Sequence, residues 1–133
     1  MKKMQSFLGA ALAVGCVLTT PASWAQQNGL TRTDLQRHDL SVPGYETVQT
    51  RVDFAPGALA ARHSHHGEEI IYVLTGALEY QIDGSAPVVV NAGQVFFVPA
   101  GAVHQAKNIG STTASELATY VVEKGQPLIT PAP

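Results

Sequence analysis

Cysteine, tryptophan and charge are all scarce in this 133-residue chain, which has one Cys, one Trp and only 14% Asp, Glu, Lys and Arg. A single thiol builds no disulfide framework, so the fold must rest on an apolar core. Basic residues number 8 against 10 acidic ones and form no patch. That argues against nucleic acid or an anionic membrane surface as a partner. Beyond the N-terminus no apolar run is long enough to span a bilayer. There is no internal repeat and no low-complexity block. The length suits one core and is too short for two. What is present is 45% hydrophobic residues, with 12 Gly and 8 Pro set between short β-branched and aromatic runs. That pattern reads as a single all-β domain.

Residues 1–25 read as a signal peptide outside the fold. Lys2 and Lys3 give a positive start, Phe7 to Leu18 is apolar, and Ser23, Trp24 and Ala25 offer small residues at the cleavage positions. The apolar run is too short for a membrane anchor. A lipoprotein box ending at Cys16 is the weaker alternative, because Ala13 stands where leucine is usual. Lys2-Lys3 is not a twin-arginine pair, so export by the general route to the periplasm or the exterior is expected. Cleavage after Ala25 removes the only cysteine. It also takes the net charge from −2 to −4, since two lysines leave and no acid does.

The remainder divides into an N-terminal arm (26–44), a barrel (45–125) and a tail (126–133). The arm is polar and is expected to wrap the outside or swap onto a partner. Tyr45 to Phe54 alternates, with Val48, Val52 and Phe54 on one face and Gln49, Arg51 and Asp53 on the other. Leu78, Tyr80 and Ile82 alternate against Glu79, Gln81 and Asp83, and Asp83-Gly84 marks a hairpin turn. Val88–Val90, Val95–Val98, Val103–Lys107 and Glu116–Val122 supply further strands. Phe54, Tyr80, Phe96 and Phe97 are expected in the core. The tail holds three prolines and is expected to be loose or an extended arm.

Two segments carry the chemistry. The first contains Gly57, His63, His65, Glu69 and Gly76; the second contains Gly93, Pro99, Gly101, His104 and Asn108. His63 and His65 are two apart, so in a strand their imidazoles converge on one face. Gly67 lets the chain bend, and Glu69 opens the apolar strand Ile70–Leu74. His104 must come from another strand. Neutral imidazoles with one carboxylate suit Fe, Mn, Zn, Ni, Co or Cu and are too nitrogen-rich for Ca or Mg. Taken alone, a His-x-His pair is equally well a pair of surface histidines. His66 points away from the pair in a regular strand and reads as a rim residue. Glu68 is expected to be solvated or paired with Arg62. Arg51 and Arg62 alternate away from the ligand face, which disfavours an anionic substrate held by a salt bridge. No general acid or base is evident beyond the ligands themselves.

These spacings resemble the cupins. The family's first motif matches Gly57, His63, His65, Glu69 and Gly76, and its second matches Gly93, Pro99, Gly101, His104 and Asn108, over roughly residues 45 to 123. One departure is His66, where many relatives have proline. The resemblance is to small single-domain cupins of the quercetin-dioxygenase-like kind. It implies a double-stranded β-helix, or jelly-roll barrel, with His63, His65, Glu69 and His104 around one divalent transition metal ion. It also implies a strand-tying role for Asn108. It says little about reaction, because cupins include dioxygenases, decarboxylases, isomerases, lyases, storage proteins and sensors.

Two open positions beside four protein ligands fit an oxygenase acting on a small, largely uncharged organic molecule. A metal-dependent lyase or isomerase, or a binding module without turnover, stays open. Ile70–Leu74 is apolar on both faces. With Glu69, Ile71 and Val73 inward, Ile70, Tyr72 and Leu74 need a cover. That cover is expected to be a second copy in a homodimer, or else the chain's own N-terminal segment.

Overall fold

The described residues run from Asn28 to Pro133 in a computed structural model. The expected signal peptide and Cys16 lie outside them. Ten strands follow in order: β1 (Leu30–Asp39), β2 (Tyr45–Phe54), β3 (Leu59–Ser64), β4 (Gly67–Thr75), β5 (Ala77–Ile82), β6 (Val88–Asn91), β7 (Val95–Val98), β8 (His104–Asn108), β9 (Ala114–Glu123) and β10 (Thr130–Pro131). They form two five-stranded sheets, ordered β1-β2-β9-β4-β7 and β10-β3-β8-β5-β6. All neighbours are antiparallel. This is the expected all-β jelly-roll barrel. No helix among the described residues is long and apolar enough to cross a membrane.

Period-two patterning builds the barrel. Glu46, Val48, Thr50, Val52 and Phe54 of β2 are all buried, while Arg51 faces out. Ile71 and Val73 of β4 and Leu78 and Tyr80 of β5 are buried against them. Val48, Ala118, Tyr120 and Val122 form a second cluster, with Leu128 packed on it. Two residues fix how the sheets close. A Cβ on Gly67 would sit 2.0 Å from the Val121 carbonyl oxygen, so only glycine lets β4 start flush against β9. Asn108 is buried and its Nδ2 donates to the carbonyls of Phe54 (2.9 Å), Ala55 (3.2 Å) and Thr112 (2.8 Å). Its Oδ1 accepts from the Gly110 amide at 2.9 Å. It ties strands together, as expected.

Two expectations change. The arm does not wrap the outside: β1 pairs along β2 from Leu30↔Phe54 to Asp39↔Glu46, with a bulge at the exposed Leu35. The tail takes the second of its two expected forms, an extended arm: β10 pairs with β3 and Arg62 donates to the Pro133 carbonyl. Phe97 is not core. It pairs with Ile70 on the outer face and is 53% exposed. Ile70, Tyr72, Leu74 and Val95 are exposed beside it. Of the N-terminal segment, residues 28–44 lie at the opposite edge of this sheet and do not cover that face.

Candidate metal centre

Three histidines meet at one end of the barrel. His63 comes from β3, His104 from the adjacent β8, and the two are directly paired across the sheet. His65 sits just past β3, in the turn into β4. All three are buried, and one ring nitrogen from each lies within 4.8 Å of the others, close enough to hold a metal ion. Glu69 enters from β4 in the opposite sheet. Its Oε2 is 3.2 Å from His65 Nε2 and 3.1 Å from His104 Nε2. His66 is exposed and outside the cluster. Arg62 pairs with Asp83 rather than with Glu68.

The backbone sets each ring's orientation. His63 Nδ1 lies 2.6 Å from the Ala61 carbonyl, His65 Nδ1 2.5 Å from that of Leu128, and His104 Nδ1 3.1 Å from that of Ala102. A carbonyl only accepts, so each Nδ1 carries its proton there and each Nε2 presents a lone pair inward. Yet His65 Nε2 and Glu69 Oε2 have no hydrogen-bond partner. Two lone pairs at 3.1–3.2 Å attract only when a positive charge, a proton or a metal ion, is shared between them. Burial and the neighbouring His104 push the His63 imidazole down to about 4, which holds it in the neutral, ligating form. The adjacent His104 and His65 outweigh the burial of Glu69 and keep its carboxyl below the usual carboxylate range. Neutral imidazoles and an ionised carboxylate are the donor set a divalent transition metal takes.

The cavity beside these residues holds only about 10 Å³, roughly one water. It is lined also by Arg32, Phe54, Tyr80, Glu116 and Tyr120. Two expectations fail here. A cation does face the site: Arg32 pairs with Val52, and opposed residues of antiparallel strands share a face, so Arg32 points in with a core valine. A candidate acid beyond the ligands is present too. Glu116 is 3% exposed, and the Tyr80 hydroxyl donates to its Oε2. Burial and the Glu69 carboxylate push it up to about 8. The sequence held one signal for Glu116: it shares the inward phase of β9 with Ala118, Tyr120 and Val122. Larger depressions occur among the described residues, such as one of about 530 Å³ along Asn28–Thr31, but that one holds none of the histidines.

The profile described as "Cupin domain" matches residues 50–122. A germin-like protein, subfamily 2 member 2, of Arabidopsis thaliana is 37% identical over 87 residues, which is 59% of this chain and 40% of that one. Nectarin-1 of Nicotiana plumbaginifolia is 33% identical over 59% of this chain and 38% of its own. The chain thus spans about two fifths of the length of these relatives. A solved oxalate oxidase is 30% identical, with a TM-score of 0.65 over 89% of this chain and 62% of its own. A double-stranded β-helix protein from Klebsiella pneumoniae, 18% identical with a TM-score of 0.65, shares the fold.

Proposed function

The chain belongs to the cupin family, and from that premise we propose that it is an exported oxygenase of a small organic molecule. In this reading His63, His65, Glu69 and His104 hold one divalent transition metal ion. The observation that carries it is the set of inward Nε2 lone pairs around the unpartnered Glu69 oxygen. A bound redox metal supplies electron exchange between an organic ligand and O₂, and any divalent ion supplies Lewis acidity. The chain's own part is to exclude water by burying every cavity wall but Arg32, and to hold the rings by their carbonyl bonds. Similarity to an oxalate oxidase supports oxidative chemistry. Arg32 withdraws the case for an uncharged substrate. Iron- or manganese-loaded protein is expected to consume O₂ with at least one compound among enols, diketones, phenols and small carboxylates. No uptake with any of them would overturn this reading.

The small cavity favours a second reading, a metal-binding module without turnover. Tight ligand binding with no product would support it. We also propose that Ile70, Tyr72, Val95 and Phe97 pack on a second copy. Sedimentation is expected to give a dimer, and Tyr72→Glu a monomer.

A further inference from the structure

Glu116 and Tyr80 form a buried polar pair that the metal reading leaves unused. Glu116 projects from β9 and Tyr80 from β5, so their hydrogen bond joins the two sheets across the interior. Both line the cavity that His63, Glu69 and His104 share. The groups facing Glu116 are Tyr80 from β5, Arg32 from β1, Glu69 from β4, His63 from β3, His104 from β8 and Tyr120 from its own strand. Among these, both tyrosines are pushed well above their usual range, chiefly by burial. The histidines and Glu69 are committed to the metal. Glu116 alone is left to give up a proton.

We propose that Glu116 is the proton donor of the centre, with Tyr80 its positioning partner, delivering a proton to a ligand held on the histidine side of the cavity. The inference rests on the metal reading for where that ligand sits. The Tyr80 O–H occupies Oε2, which leaves Oε1 to carry the proton. In the transfer the Oε1–H bond breaks and a bond from hydrogen to the ligand atom forms. The negative charge stays on Glu116, where Tyr80 donates to it and Arg32 attracts it. Water restores the proton past Arg32, the only lining side chain that is not buried. Burial of Glu116 favours its neutral acid form, the condition for a useful general acid.

Infrared spectra of the full chain, metal-free and zinc-loaded, test this. A neutral carboxylic C=O band is expected at neutral pH and is expected to be missing in Glu116→Gln. Tyr80→Phe keeps the band and moves its loss to higher pH, because a bond favouring the carboxylate is gone. In cobalt-loaded protein, azide is the probe. Its affinity is expected to fall about tenfold per pH unit above the band's midpoint, and to be flat in Glu116→Gln. Absence of the band from the metal-free protein, or an azide dependence that survives Glu116→Gln, overturns the proposal. If Glu116→Gln does not fold, an unmoved midpoint in Tyr80→Phe overturns it as well. Cobalt uptake surviving His63→Ala/His65→Ala would count against the metal reading alone, and the metal-free band would still judge Glu116.

Discussion

Two polar clusters share one barrel, and they differ in how complete they are. The Glu116–Tyr80 pair satisfies itself with a hydrogen bond between the sheets. The histidine cluster does not, since it buries an imidazole nitrogen and a carboxylate oxygen that have no hydrogen-bond partner. A buried polar group without a partner costs about 1–3 kcal/mol, and more when charged. A cluster that keeps such atoms aimed at one another could be satisfied by a cation, whereas the Glu116–Tyr80 pair needs none.

The sharpest way to break that contrast is to remove ligands. His63→Ala, His65→Ala, Glu69→Ala and His104→Ala are each expected to strip most of the metal from purified protein, read by elemental analysis. Glu116→Gln should spare it. Retention of full metal by all four would erase the distinction between the clusters. Asn108→Ala removes a buried side chain that bonds the Phe54 and Thr112 carbonyls and the Gly110 amide, and is expected to cost about 3 kcal/mol in urea unfolding.

Acid provides a third handle. The folded His63 imidazole titrates near 4, against an ordinary 6.5, so the unfolded chain binds the extra proton first. In metal-free protein, stability should therefore be full above pH 6.5, fall as the pH drops through that window and level off below about 4. The loss is on the order of 2–3 kcal/mol. Melting temperatures that do not change across the window would contradict it. Deleting residues 126–133 removes the Leu128 carbonyl that orients His65 and should weaken zinc affinity about tenfold, measured by competition with a chelator. His66→Ala should change neither metal content nor stability. If it strips the metal while His65→Ala spares it, the register assigned to the first segment is wrong.

Much of this was legible in the sequence, for identifiable reasons. The alternation of Tyr45–Phe54 gave the inner face of β2, and the spacing of His63, His65, Glu69 and His104 gave residues that the barrel does bring together. Arg32 was missed because its direction is set by pairing with Val52, and register is a property of two strands. Glu116 stood in a core phase, but its partner Tyr80 comes from the other sheet and no spacing encodes that. The Leu128 contact uses a backbone carbonyl, which every residue has, so no side chain announces it. Phe97 looked like core because its outward phase could not be told from an inward one in the uniformly apolar Val95–Val98.

The strand order carries a consequence for how the molecule comes to be. β9, the last long strand in the chain, lies between β2 and β4, which are adjacent to nothing else that could join them. Until residues 114–123 pair, the sheet exists as two unlinked fragments. Glu69 then has no wall to hold it opposite the histidines. Closure of such distant pairings is entropically slow, and it exposes strand edges for as long as it takes. Glu69 therefore comes to face the paired His63 and His104 only once β9 has docked between β2 and β4.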